Sequence, residues 1–220
     1  MSLTFDPDTH AYTLDGEPIP SVTGILKAST LLDFSHIPAH WLERAQKRGR
    51  AVHQAIHYFN ERDLDVQGFY TDHPAWAGYL RAWIGFCGQR GFVPVLNEYR
   101  IASRRLRVAG TLDCLGILDG TAVLLDFKSG RPEDVAANLQ TAAYHGLALE
   151  WAAEDDTLAA FFRQHPIVKR YAVQIRKDAT FRVEGYTDVT DFRKFKTLVE
   201  AQHIIAEHKG SWEDLELEAA

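Results

Sequence analysis

Two acidic side chains in a short stretch of the chain could hold a divalent cation, with a lysine close by. Asp113 and Asp126 each lie within an apolar run, and Lys128 follows Asp126 after one intervening residue. Between the two runs, Asp119-Gly120 is a strong signal for a two-residue hairpin turn. Such a turn places Asp113 opposite Asp126, with Cβ atoms about 4.5–5.5 Å apart. Because side chains alternate along a strand, Lys128 is expected to share their face.

Two carboxylates held this close are energetically costly. Like charges about 4 Å apart repel by about 4 kcal/mol at an effective dielectric constant near 20. Apolar neighbours such as Leu124 and Phe127 indicate burial, which raises the cost further. A proton, the Lys128 ammonium or a divalent cation could offset it, and carboxylate oxygens suit Mg²⁺ or Mn²⁺. A structural aspartate–lysine pair on the sheet surface is the alternative, but the matched register of the two aspartates favours the metal site.

Further motifs accompany these residues along the chain. They are PSVTGIL at residues 20–26, Gly49-x3-His53, Glu98, Gly110 and Gln140-x3-Tyr144. Together with Asp113 and Asp126-Phe127-Lys128, they resemble the PD-(D/E)XK nuclease superfamily, especially its RecB-like branch and the phage-type recombination exonucleases. Leu112 stands where the superfamily name has proline, which RecB-like members often lack. The two cysteines of the chain are too few for the four-cysteine iron–sulfur cluster of one RecB-like group.

The resemblance implies a set of metal ligands. A first Mg²⁺ or Mn²⁺ ion would be held by His53, Asp113, Asp126 and the backbone carbonyl of Phe127. Glu98 would support a second ion or organise the first. One or two ions are therefore expected as the cofactor.

The resemblance also assigns roles to residues that do not bind the metal. Lys128 would orient the attacking water or neutralise charge on the phosphate, and Gln140 and Tyr144 would contact DNA or support Lys128. With Asp113, Asp126 and Glu98 these residues complete the expected catalytic set. Each has a structural alternative. His53 could be a packed or surface histidine, Glu98 a solvated strand residue, and Gln140 and Tyr144 ordinary helix surface and core.

A zinc site is a rival interpretation of the first long helix. His53 and His57 are four residues apart, as in H-E-x-x-H metalloproteases. Position 54 is Gln, however, so the general-base glutamate is missing. We therefore do not expect zinc protease chemistry.

Basic residues near the predicted hairpin are candidates for DNA contacts. Arg104, Arg105 and Arg107 surround one strand turn, where they would form either a phosphate-contacting finger or a solvated tip. Arg131 is a further candidate. The formal net charge is −6, yet residues 21–210 carry 24 basic against 22 acidic residues. Net acidity thus does not exclude a polyanionic partner, although it argues against passive wrapping of nucleic acid.

The sequence pattern predicts one α+β domain over residues 1–220. It begins with a hairpin at 1–20 and ends in an acidic tail at 209–220. Helices are predicted at residues 40–63, 74–89, 133–152 and 188–208, and strands at 92–101, 106–118, 121–128, 167–175 and 180–187. The pattern predicts a central mixed sheet flanked by helices, and the resemblance implies a PD-(D/E)XK core. Ordinary globular composition excludes fibrous and wholly disordered proteins.

The expected activity is that of a metal-dependent deoxyribonuclease, acting as an exonuclease on DNA ends in phage-type recombination or repair. An endonuclease or flap nuclease with the same site, or a catalytically silent DNA-binding module, are the alternatives. Expected partners are DNA and a single-strand annealing protein or helicase, and the family analogy adds a ring-shaped homo-oligomer. Neither a signal peptide nor a membrane-length apolar run is visible. We therefore expect a cytoplasmic protein encoded by a phage or a bacterium.

Overall fold

A small antiparallel sheet begins the chain in the computed structural model, which describes residues 2–7, 9–130, 134–166 and 168–208. Its strands are β1 (Leu3–Asp6), β2 (Ala11–Leu14) and β3 (Glu17–Ile19). The first two form the predicted hairpin, of whose turn residues Asp8 lies outside the described residues. The third strand follows a turn at Asp15-Gly16, where both residues have positive φ. This Asp-Gly pair is itself a hairpin signal.

Four helices precede the central sheet. They are α1 (Val22–Ala28), α2 (Ala39–Asn60), α3 (Val66–Asp72) and α4 (Ala77–Arg90). The Ser21 hydroxyl caps α1 by accepting a hydrogen bond from the Gly24 amide at 2.9 Å. The predicted helix at residues 74–89 begins later, at Ala77. Helix α3 was not predicted: it has seven residues, and its apolar positions Val66, Phe69 and Tyr70 are only partly buried.

The central sheet has five strands and is mixed. The remaining elements are β4 (Val93–Ser103), β5 (Val108–Leu118), β6 (Thr121–Lys128), α5 (Asp134–Trp151), α6 (Asp156–Gln164), β7 (Val168–Ile175), β8 (Phe181–Tyr186) and α7 (Asp191–His208). The strands lie in the order β4-β5-β6-β7-β8, and all neighbours are antiparallel except β6 and β7, which α5 and α6 connect. The predicted α+β class with a mixed sheet is confirmed. Helix α6 was not predicted.

Two apolar clusters cover the two faces of this sheet. Helices α2 and α4 pack over Leu125 and Phe127 of β6, whereas α1, α5 and α7 contribute to the cluster that contains Leu124. Since side chains alternate along β6, Asp126 and Lys128 lie on the face covered by α5. The sheet therefore holds the predicted charged residues beneath a helix.

The β5–β6 hairpin has the register predicted from Asp119-Gly120. Leu118 pairs with Thr121, and the pairing continues to Cys114 with Leu125. Asp119 and Gly120 both have positive φ, at 50° and 74°, as a tight turn of this kind requires.

The predicted acidic tail at 209–220 lies outside the described residues. Within the part of the chain that is described, none of the helices combines the length and hydropathy needed to span a bilayer.

Candidate metal centre

Asp113 and Asp126 occupy the point where β5 and β6 cease to pair backbone to backbone. Beyond Cys114 and Leu125, the last residue pair of the ladder, the Phe127 amide donates to Asp113 Oδ2 at 2.6 Å. A side chain thus bridges the two strands at this position. The arrangement fixes the Asp113 carboxylate and leaves its Oδ1 facing helix α2.

Asp126 is the most buried acid of the site, at 1% exposure. Lys128 Nζ lies 3.0 Å from its Oδ1 and 2.7 Å from its Oδ2. The first contact is a hydrogen bond, whereas Oδ2 accepts no hydrogen bond from any described residue. Oδ2 therefore has the Lys128 ammonium as its ion-pair partner and keeps a second lone pair for another ligand.

Helix α5 supports Lys128 through a chain of hydrogen bonds. Lys128 Nζ donates to Gln140 Oε1 at 2.8 Å, and Gln140 Nε2 donates to the Tyr144 hydroxyl at 3.1 Å and to Thr23 Oγ1 at 3.4 Å. Gln140 and Tyr144 are one helical turn apart, so one face of α5 carries both. The structure therefore brings together the predicted residues Asp126, Lys128, Gln140 and Tyr144.

His53 reaches the site from α2. This helix covers the face of the sheet that carries the Phe127 side chain, opposite the face of Asp126 and Lys128. His53 Nε2 lies 3.0 Å from the Phe127 carbonyl oxygen, which can only accept, so Nε2 carries the proton. Its Nδ1 lies 3.4 Å from Glu98 Oε1 and 3.7 Å from Asp113 Oδ1. The Phe127 carbonyl, predicted as a metal ligand, is here the partner that orients His53, and Nδ1 faces the carboxylates.

The donor atoms of three residues converge closely enough to share one ion. One ligand atom from each of His53, Glu98 and Asp113 lies within 4.8 Å of the others. Asp126 is beside this group but engaged with Lys128, and His57 does not belong to it. The geometry thus forms a His–Glu–Asp set rather than the zinc pair of two histidines.

Electrostatics in the site favour bound protons when no cation is present. Burial alone would lower the pKa of His53, but the carboxylates of Asp113 and Glu98 outweigh it and raise the pKa to about 9. Burial, together with the charges of Asp126 and Glu98, raises the pKa of Asp113 to about 7, against the opposing effect of His53 and Lys128. A divalent cation would neutralise the same clustered charge that these protons neutralise.

Glu98 reaches the site through an irregularity in β4. The register against β5 shifts between Pro94 and Leu96, and Glu98 has a φ of +46°, which is uncommon outside glycine. Asn97 is held on one side by Asn60 Nδ2, which donates to its Oδ1 at 2.7 Å. A strained backbone of this kind costs about 1–3 kcal/mol and occurs preferentially at functional sites.

The four acidic and basic side chains His53, Asp113, Asp126 and Lys128 line a cavity of about 630 Å³, hereafter the acidic cavity. Apolar side chains from the α1–α2 connection and from the start of α2 also line it. They are Leu32, Phe34, Ile37 and Leu42. The two aspartates and Lys128 therefore lie in a recess rather than on an exposed strand surface.

Basic residues of the acidic cavity were missed by the sequence analysis. Lys27 and Arg48 both line it, and Arg48 Nε donates to Ser129 Oγ at 3.4 Å. The available signal was the run Gln46–Arg50, QKRGR, which precedes His53 by less than one helical turn. Charge on a helix surface is common, so the run by itself was not distinctive.

The predicted arginine finger lies elsewhere. Arg104 forms ion pairs of 2.6 Å with both Asp15 and Glu154, and Arg105 Nη2 lies 3.9 Å from Glu150 Oε2. Neither these two nor Arg107 line the acidic cavity. At about 3.4 Å per residue, the turn lies roughly 15–20 Å along β5 from the carboxylates. Its arginines join the N-terminal sheet to the end of α5, and Arg131 lies outside the described residues.

Comparison of the chain with models of known protein families and with curated proteins found no match.

Proposed function

We propose that the protein is a metal-dependent deoxyribonuclease that hydrolyses DNA phosphodiester bonds, with DNA ends as its substrate. The observation that carries this proposal is the convergence of His53, Glu98 and Asp113 donor atoms within 4.8 Å, beside the buried Asp126–Lys128 pair. A nitrogen ligand and carboxylate oxygens suit Mg²⁺ or Mn²⁺ in a hydrolytic site. The resemblance of the motifs to RecB-like nucleases supports the choice of DNA as substrate.

The residues present fit such an ion. His53 Nδ1, Glu98 Oε1 and Asp113 Oδ1 would hold it, and Asp126, whose Oδ2 lies 2.7 Å from the Lys128 ammonium, is beside them. A bound divalent ion would polarise the scissile phosphate and lower the pKa of a water molecule.

The protein's own residues supply orientation and charge. Lys128 is held by Asp126 on one side and Gln140 on the other, so its ammonium has a defined position in the cavity. An ammonium there would stabilise negative charge as it develops on the phosphate oxygens. Tyr144 and Thr23 fix Gln140 in turn, which makes them positioning residues for Lys128.

A cleavage assay with matched variants tests the proposal. Linear DNA incubated with Mg²⁺ or Mn²⁺ should be degraded by the parent protein, and Asp126→Asn should slow this by at least about a hundredfold. Asp119→Asn makes the same change of charge in the same hairpin but outside the cavity, where asparagine tolerates the positive φ. It should cut like the parent.

Covalently closed circular DNA separates cutting at ends from internal cutting. An exonuclease leaves the circle intact while it degrades the linear form, whereas an endonuclease cuts both. Parent protein that cuts no form of DNA with either metal would overturn the proposal in favour of a catalytically silent binding module.

A further inference from the structure

A second cavity of about 520 Å³ adjoins the acidic cavity and contains none of the predicted catalytic carboxylates. It lies between α1, α2, β2 and β5. The two cavities share four lining residues, namely Thr23, Lys27, Gln46 and Tyr144. The two cavities are therefore adjacent, with these four residues between them.

The second cavity differs from the first in having cations but no carboxylate among its described lining residues. Lys27 and Arg50 line it, and no aspartate or glutamate is among its described lining residues. Both side chains are exposed, and neither forms an ion pair with a described carboxylate. Unlike Arg104, which two carboxylates neutralise, these cations are available to an anion from outside.

Hydroxyl groups line the second cavity between its cations and β5. The Tyr12 and Thr111 hydroxyl oxygens lie 2.8 Å apart, so only one of the two hydrogens is used between them. Ser21 and Thr23 add two more hydroxyls to the lining. Hydroxyl donors next to Lys and Arg are the usual partners of phosphate oxygens in nucleic-acid complexes.

We propose that this second cavity, through Lys27 and Arg50, binds a phosphate of the substrate strand next to the one at the metal centre. The inference rests on the proposed function for the identity of the ligand as nucleic acid. A strand laid across both cavities has one phosphate among acidic ligands that require a cation and its neighbour among cations that require none. The shared residue Lys27 lies at the boundary between the two.

Binding of a fluorescently labelled single-stranded 12-nucleotide DNA in EDTA tests the inference without any cutting. Lys27→Gln combined with Arg50→Gln should weaken binding at least tenfold near 0.1 M salt. The slope of log K against log salt concentration should fall by about 0.7, since each phosphate neutralised on a single strand contributes about 0.7. The charge-preserving Lys27→Arg with Arg50→Lys should keep the parent slope.

A matched control removes the same charge elsewhere. Arg90→Gln with Arg163→Gln changes two exposed bases at the ends of α4 and α6, outside both cavities. If that pair alters affinity and salt slope as much as the Lys27 and Arg50 pair, the inference is overturned. If the double variant does not fold, as judged by its thermal melting, the two single variants should each show about half of the change in slope, and no change would overturn it.

The phosphate could be terminal or internal, and competitors distinguish these sources. Oligonucleotides with a 5′-phosphate, with a 3′-phosphate and with neither are compared with circular single-stranded DNA. Preference for one phosphorylated end assigns a terminal phosphate, and equal competition by the circle assigns an internal phosphodiester. Because these measurements use EDTA, a protein that never cuts DNA would refute the proposed nuclease while leaving this binding site testable.

Discussion

The sheet carries two buried ion pairs under α5, and they differ in how completely their charges are satisfied. In the Arg170 pocket, the guanidinium donates to the carbonyls of Asn138 and Asp188 and to the Asp191 carboxylate, each at 2.9 Å. Lys194 lies 3.3 Å from the other Asp191 oxygen. Every charge there has an oriented partner, as a structural ion pair requires.

The Asp126–Lys128 pair shows the opposite pattern. Among the described residues its carboxylate is paired with the Lys128 ammonium alone, and further carboxylates from Asp113 and Glu98 lie nearby. Glu98 also has a strained backbone. Clustered carboxylates and backbone strain lower the stability of the fold. Such features occur preferentially at sites where a bound ligand offsets their cost. The contrast indicates that the Arg170 pocket stabilises the fold, whereas the carboxylates beside Asp126 fit the cation proposed above.

Removing Arg170 should give the largest effect on stability. Arg170→Met leaves Asp191 buried without its main partner, so the free energy of unfolding should fall by about 3–5 kcal/mol in denaturant titrations. Cleavage by the remaining folded protein should not change. Arg182→Met breaks an exposed pair with Glu184 and should cost no more than about 1 kcal/mol. Equal losses in the two variants would contradict the structural role assigned to Arg170.

Removing Asp113 should affect the metal rather than the fold. Asp113→Asn keeps an oxygen that can accept the Phe127 amide, and it removes a charge from the carboxylate cluster. Stability in EDTA should stay within about 1 kcal/mol of the parent. Mn²⁺ affinity, measured by calorimetry, should fall roughly a hundredfold or more, because even outer-shell partners are worth 10–100-fold. If Asp113→Asn instead loses much stability and keeps its Mn²⁺ affinity, Asp113 has the same structural role as Arg170, and the distinction between the two regions is wrong.

Local signals were sufficient for the hairpin and for the helices that flank it. Asp119-Gly120 fixed a register that applies through Cys114 and Leu125, and the apolar periodicity around His53 located α2. Spacing on α5 also placed Gln140 and Tyr144 on one face. Each of these inferences depends on residues a few positions apart, where backbone geometry is the main determinant.

Other features depend on contacts between distant segments, which the sequence does not show. The shifted register that brings Glu98 to His53 arises between strands, with no diagnostic turn to reveal it. Arg104 was predicted to contact DNA because it lies at a strand turn; its ion-pair partners in the structure, Asp15 and Glu154, are 89 and 50 residues away in the sequence. Charge at a strand turn indicates exposure but not which carboxylates will be near.

The Arg170 pocket should make stability depend on pH through His145. Burial, together with the Arg170 charge, lowers the pKa of His145 to about 4, from 6.5 in an unfolded chain. Below pH 6.5 the unfolded chain therefore binds a proton that the folded protein does not, so stability falls as pH drops from 6.5 towards 4, by at most about 3 kcal/mol. Below pH 4 both states are protonated and this loss stops.

Denaturant titrations between pH 4 and 7 check this effect by comparing variants. His145→Gln should reduce the loss of stability over that range, since glutamine does not titrate. His40→Gln, a change at an exposed position near the start of α2, should leave the slope as in the parent. If His145→Gln also leaves it unchanged, His145 is not kept neutral by the fold.

Backbone strain at Glu98 predicts the smallest change in stability. Its sign is distinctive, because glycine should be more stable than alanine at this position. At an ordinary strand position glycine is less stable than alanine by about 0.5–1 kcal/mol. At a φ of +46° the order should reverse, so Glu98→Gly should be more stable in EDTA than Glu98→Ala by about 1 kcal/mol. Arg100, two residues along the same strand and without positive φ, provides the control pair. Alanine favoured over glycine at both positions would show that β4 is not strained where it meets the metal centre.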